Sequence, residues 1–136
     1  MSESDLIQWA RGILIAQTRE LETTRRKRLK PSRDTERLHK LRTRARRLRC
    51  ALEDLRECTA SARAFLRMVK RLGDKTGKAR DGQVLLQRLR RYHRVAAPDE
   101  RSQIEQLLKK YNKRCKKWDR IALDAIRQFR APGELL

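Results

Sequence analysis

The residues most able to do chemistry lie in one run, Leu38-His39-Lys40-Leu41-Arg42-Thr43-Arg44-Ala45-Arg46-Arg47-Leu48-Arg49. On a helix at about 100° per residue, with His39 at zero, Arg42 falls near 300°, Arg46 near 340° and Arg49 near 280°. The four form one stripe, and the leucines of the same helix centre at about 200°. The stripe therefore follows the edge of the buried face, while Arg44 and Arg47 point elsewhere. Guanidinium groups at such a rim are held by packed stems, and each can grip phosphate oxygens with two parallel hydrogen bonds. A row with about one turn between charges suits a ligand whose anionic groups repeat; a single small anion would need convergence instead.

A basic helix face is often only solvated and laced with acidic partners one turn away. Between Leu38 and Leu52 there is no Asp or Glu, so the run repels itself and reads as assembled for an external anion. Replacing Arg42 and Arg46 is then expected to weaken anion binding and leave stability equal or higher. His39 has two readings, a phosphate contact or a histidine with a structural role.

A second stretch, residues 70–86, carries Lys70, Arg80 and Asp81 among Gly73, Gly77 and Gly82. The glycines predict a helix–turn–helix connection, with Asp81 near the second helix's N-terminus. The spacing is not that of a phosphate-binding P-loop. Farther on, Lys110, Arg114 and Lys117 lie along one flank of the last helix. They either complete a groove with the arginine helix or are merely solvated.

The elements that must position these residues read as helices throughout. Five are expected, over residues 4–29, 33–58, 60–74, 80–94 and 98–129. Ser4 is the expected first N-cap and Ser32 or Asp34 the second, Pro31 stops the first helix, and Pro98 opens the last. Leu6, Ile7, Ala10, Ile13, Leu14, Gln17 and Leu21 form one apolar face of the first helix. Leu38, Leu41, Ala45, Leu48, Leu52 and Leu55 form that of the second, and Ile104, Leu107, Leu108, Tyr111, Cys115, Trp118, Ala122, Ala125, Ile126 and Phe129 that of the last. Short connections imply one all-α domain over residues 1–136, an antiparallel bundle of four to five helices, with a frayed tail at 131–136.

Composition narrows the partner. Lys and Arg number 37 against 17 Asp and Glu, a net charge of +20, so the expected partner is acidic: nucleic acid, an anionic membrane face or a phosphate polymer. No apolar stretch approaches the roughly 20 residues needed to span a bilayer. The N-terminal Met1-Ser2-Glu3-Ser4-Asp5 lacks a signal core, so the expectation is a cytoplasmic protein without membrane insertion. Cys50, Cys58 and Cys115 are expected to be buried reduced thiols, with no CxxC to hold zinc.

At the residues singled out above, the sequence resembles the CHAD family, a helical polyphosphate-binding domain. One family pattern reads H-x-x-R-x-x-x-R-R-L-R, matched by His39, Arg42, Arg46, Arg47, Leu48 and Arg49. A second reads L-K-W-L, then four residues later G-x-x-R-D-x-D-V-L. Val69-Lys70-Arg71-Leu72 and Gly77-Lys78-Ala79-Arg80-Asp81-Gly82-Gln83-Val84-Leu85 fit that spacing, with Arg71 in place of the tryptophan and Gln83 in place of the second acid. The resemblance covers most of the chain. It implies inorganic polyphosphate binding without catalysis or cofactor, places His39, Arg42, Arg46, Arg49, Lys70 and Arg80 at the site, and admits association with polyphosphate granules. It also implies that relatives carry two such helical halves about a pseudo-two-fold axis. This sequence has one, so either a half-surface binds or two chains pair as a symmetric homodimer.

Three other functions fit less well. Nonspecific or architectural nucleic-acid binding is permitted by charge, but no aromatic residue sits among the arginines to stack a base. Phosphoester hydrolysis wants clustered carboxylates, and the closest group, Glu53, Asp54 and Glu57, lies beyond the arginine run. Membrane-surface binding would need apolar faces that the bundle itself uses.

Overall fold

A computed structural model describes residues 1–136. Four helices account for nearly all of it: α1 (Glu3–Arg26), α2 (Thr35–Asp54), α3 (Ala62–Val95) and α4 (Pro98–Gln128). One-turn 3₁₀ segments follow α2 (Arg56–Cys58) and α4 (Gly133–Leu135). There are no strands, in agreement with the all-α reading.

The helix starts differ in detail from expectation. The N-cap of α1 lies two residues earlier than expected, at Ser2 and not Ser4, because Ser2 and Asp5 form a reciprocal capping box: the Ser2 hydroxyl accepts from the Asp5 amide at 3.2 Å, and the Asp5 carboxylate accepts from the Ser2 amide at 3.0 Å. Asp34 stands at the N-cap of α2, but its carboxylate turns back to accept from the Lys30 amide at 2.8 Å. Pro98 opens α4 as expected.

The expected connection between a third and a fourth helix does not exist. Residues 62–95 form one helix, and Gly73, Gly77 and Gly82 sit inside it with ordinary negative φ. An interior glycine costs a helix only about 1 kcal/mol, and α3 packs along both α2 and α4, which outweighs that cost. Gly82 has a packing reason. A Cβ there would meet Cys115 Sγ at 2.7 Å and the Trp118 ring at 3.0 Å, so its bare backbone lets α3 and α4 approach closely. Asp81 is consequently in mid-helix, not at an N-terminus.

The core is one cluster. Leu38, Leu41, Ala45, Leu48 and Leu52 of α2 meet Leu14 and Leu21 of α1, Phe65, Val69, Leu72 and Ala79 of α3, and Ala122 and Ile126 of α4. Phe65 and Phe129 pack with ring centroids 6.0 Å apart. Leu135 is fully buried in the same cluster, and Arg19 donates to the Leu136 carbonyl at 2.9 Å. Residues 131–136 are therefore docked against α1, and the expected fraying is corrected: a leucine with a core site available offsets the entropy of ordering a short tail.

Two apolar faces extend past what covers them. Leu6, Ile7 and Trp9 remain exposed at the start of α1, and Leu107 near the start of α4. Ile104, Leu108 and Tyr111 are only half-buried, because α4 packs chiefly on α3 and that hairpin outruns the bundle. All three cysteines are free, but only Cys115 is buried; Cys50 is exposed and Cys58 half-buried. No helix is long and apolar enough to cross a membrane.

Candidate functional site: a basic groove between two helices

Burial of the leucine stripe of α2 sets the orientation of that helix, and orientation decides what its edge presents. His39, Arg42, Arg46 and Arg49 emerge along the seam where α2 lies on α3. From the opposite wall α3 contributes Lys70 and Arg80. These six basic side chains line one open groove of about 430 Å³. The sequence patterns thus converge in space, although the α3 residues arrive on a continuous helix and not on a turn.

The six are not equivalent. Arg42 is anchored: its Nη1 donates to the Gly73 carbonyl at 2.6 Å and to the Thr76 hydroxyl at 2.9 Å. The Thr76 hydroxyl in turn donates to the Leu72 carbonyl at 2.8 Å. The guanidinium lies against Gly77, where a Cβ would stand 3.4 Å from it. Burial pulls the Arg42 pKa below its usual value; Asp81 and Asp74 oppose that shift, and Arg46 and Arg80 add to it. Even so, a guanidinium remains a cation here.

Arg49 and Lys70 share a carboxylate. Arg49 Nε lies 3.0 Å and Lys70 Nζ 3.5 Å from Glu53 Oε1. The hydrogen bond from Arg49 holds the Glu53 carboxyl below its ordinary range. The expectation that the arginine run lacks local acidic partners is thus corrected at its end: Glu53 is one turn beyond Arg49, just outside the acid-free stretch. His39, Arg46 and Arg80 have no carboxylate at salt-bridge distance. Arg44 leaves the stripe as expected, reaching Thr24 and the Glu20 carbonyl of α1.

Asp74 and Asp81 also line the groove. Sequence reasoning missed the first and misplaced the second, having expected a break in the helix that carries both. It missed Thr76 and Gly77 as well, whose signal was a small pair one turn after Gly73. Lys110, Arg114 and Lys117 do not line the groove. Gly82 turns toward α4, so α3 stands between α4 and the groove. Lys110 instead neighbours Lys109, Lys113 and Lys116, and the Arg114 guanidinium lies 5.5 Å from the Tyr111 ring centre.

The two departures from the expected pattern have distinct surroundings. Gln83 is buried and donates its amide to the Pro31 carbonyl, tying α3 to the α1–α2 connection. Arg71 lines a separate cavity of about 450 Å³ with Met68, Ile121 and Asp124.

An open groove walled by rim guanidiniums can hold successive phosphates of an extended chain by charge-assisted hydrogen bonds. The sequence model of a family described as CHAD domain matches residues 12–136. No curated protein and no solved structure matches the chain.

Proposed function

The chain belongs to the CHAD domain family, and on that premise we propose that it binds inorganic polyphosphate, without turnover, in the groove between α2 and α3. One observation carries the reading: six basic side chains line a single groove, and four of them, His39, Arg42, Arg46 and Arg80, have no carboxylate at salt-bridge distance. An incoming phosphate chain supplies the charge they lack and releases condensed counterions. Arg42, fixed by Gly73 and Thr76, gives the chain a pre-positioned fork at little ordering cost. Openness along the seam favours a polymer that enters and leaves at the ends over a small enclosed anion.

The test is a titration with long-chain polyphosphate, repeated with duplex DNA at equal phosphate concentration. Polyphosphate is expected to bind more tightly, with affinity falling linearly on a log–log salt plot. The Arg46→Ala/Arg80→Ala protein is expected to lose most of it. Displacement of polyphosphate by DNA at matched phosphate would establish nucleic-acid binding instead. Phosphate release with magnesium or manganese present would overturn binding without turnover. Mass in solution during the titration reads whether two chains pair about one ligand.

A further inference from the structure

The groove does not use the densest basic run of the last helix. Between Lys109 and Lys117 the sequence Lys109-Lys110-Tyr111-Asn112-Lys113-Arg114-Cys115-Lys116-Lys117 contains no acid. Lys109, Lys110, Lys113 and Lys116 border a shallow surface depression lined by no apolar residue. All four are exposed, and none has a carboxylate at salt-bridge distance.

Their direction follows from the packing of the hairpin. Cys115 and Trp118 face α3, since both crowd the position a Gly82 side chain would take. At about 100° per residue, Lys109, Lys113, Lys116 and Arg120 fall roughly 130–170° from that direction, on the outer side of α4. On α3 the groove residues Gly73, Arg80 and Val84 fall roughly 160–180° from Gly82. The two basic faces are therefore on opposite sides of the α3–α4 pair. With helix axes about 9 Å apart and each face about 5 Å outside its own axis, they stand roughly 20 Å apart.

We propose that this outer face of α4 is a second phosphate-polymer site, so that one molecule holds two polyphosphate segments and crosslinks chains. The proposal rests on the groove reading above and extends it. The lysines succeed one another at four-, three- and four-residue steps with Arg120, about 6, 4.5 and 6 Å along the helix, a row and not a convergent cluster. Tyr111 and Trp118, the aromatics nearest to them, are half-buried on the inner side, so the face offers no stacking platform for bases. Phosphate repeats fit it better than nucleic acid.

The experiment is light scattering during titration, with tripolyphosphate and with long-chain polyphosphate as the two probes. Tripolyphosphate is too short to reach from face to face and is expected to bind without scattering. Long chains are expected to give a scattering maximum that disappears at excess ligand, when each face takes its own chain. The K109Q/K113Q/K116Q protein should keep its tripolyphosphate affinity in the groove and lose the maximum, on the order of tenfold, as one of two valences is removed. The R11Q/R33Q/K40Q protein, with equal charge removed elsewhere, should scatter as the parent does. Equal loss in both variants means that net charge alone drives association, and the proposal fails. Binding of long chains without scattering at any ratio also overturns it, while leaving the groove reading intact; absence of any polyphosphate binding overturns both. Duplex DNA that occupies the lysine face while polyphosphate stays in the groove would assign that face to nucleic acid and likewise end the proposal.

Discussion

The Arg42 guanidinium rests on the backbone of α3 at Gly77, with 3.4 Å between Nη1 and the place a Cβ would occupy. That distance is ordinary contact for a methyl group and too little for anything larger. Gly77→Ala should therefore fold normally and gain about 0.5–1 kcal/mol from helix propensity. Gly77→Leu should displace the guanidinium and weaken polyphosphate binding. Thermal melts and titrations on the two variants check this; equal affinity in both would mean that the position of Arg42 does not matter to the ligand.

Arg42 and Arg46 separate into different roles. Arg42 bridges α2 to the Gly73 carbonyl and Thr76 of α3, so Arg42→Ala should cost about 1–2 kcal/mol, the range for hydrogen bonds to a charged group after some relief of repulsion from Arg46 and Arg80. Arg46 makes no such bond, and Arg46→Ala should change stability by less than about 0.5 kcal/mol while reducing affinity. The sequence-based expectation that both replacements are neutral or stabilising is therefore kept for Arg46 and revised for Arg42. Denaturant midpoints of the two single variants decide it.

On the proposed reading, Glu53 competes with polyphosphate for Arg49 and Lys70. Its Oε1 lies within reach of both Arg49 and Lys70 at one end of the groove. Glu53→Gln frees two cations at the loss of exposed pairs worth about 0.2–1 kcal/mol. Polyphosphate affinity should rise roughly two- to fivefold, with a steeper salt dependence as more phosphates are neutralised. A fall in affinity would show that Glu53 serves the ligand by orienting Arg49.

The α2 half of this site was legible because a helix edge follows directly from periodicity: once the leucines face inward, His39, Arg42, Arg46 and Arg49 have a determined bearing. The α3 half was legible as residues but not as shape. Gly73 and Gly77 carry a local signal for a turn, and only packing against α2 and α4 overrides it. The same override hid Asp74 and Asp81, which come to the groove because the helix continues. Leu135 illustrates a different limit: nothing in the short run after Pro132 has a period, so its burial depends on a place in the core beside α1 that no local pattern describes. For Lys110, Arg114 and Lys117, the bearing of α4 relative to α3 was the missing quantity, and Gly82 supplies it.

Asp119 gives the fold a pH dependence of predictable sign. It is half-buried, its Oδ1 has no hydrogen-bond partner, and burial pushes its carboxyl above the reference 3.8. Folding therefore favours its protonated form. The cost is absent below the unfolded value, grows as pH rises through the folded value, and is fully present at neutrality. Asp119→Asn removes the charge at nearly constant shape. It should raise the melting temperature at neutral pH, and the gain should shrink as the pH falls toward about 4. The Cys115 thiol, raised by burial first and by the Asp119 charge second, should titrate lower in the same variant. Thermal melts across pH, with thiol titration alongside, provide both readings.

Gly82 should be the least replaceable glycine. Its α-carbon faces Cys115 Sγ at a distance that leaves a Cβ only 2.7 Å, with Trp118 at 3.0 Å. Neither neighbour is the loose end of a flexible side chain; both are held in the α3–α4 contact. Gly82→Ala should then cost about 1–3 kcal/mol, the range for overpacking, against a helix-propensity gain of at most about 1 kcal/mol. Removing the sulfur makes the room. The Gly82→Ala/Cys115→Ala pair should be less destabilised than the sum of its single changes, with a coupling of about 0.5–3 kcal/mol. A double-mutant cycle from denaturant unfolding measures that coupling directly. Additive behaviour would mean that α4 simply shifts outward along α3, in which case the outer lysine row moves with it and the scattering maximum with long-chain polyphosphate should change as well.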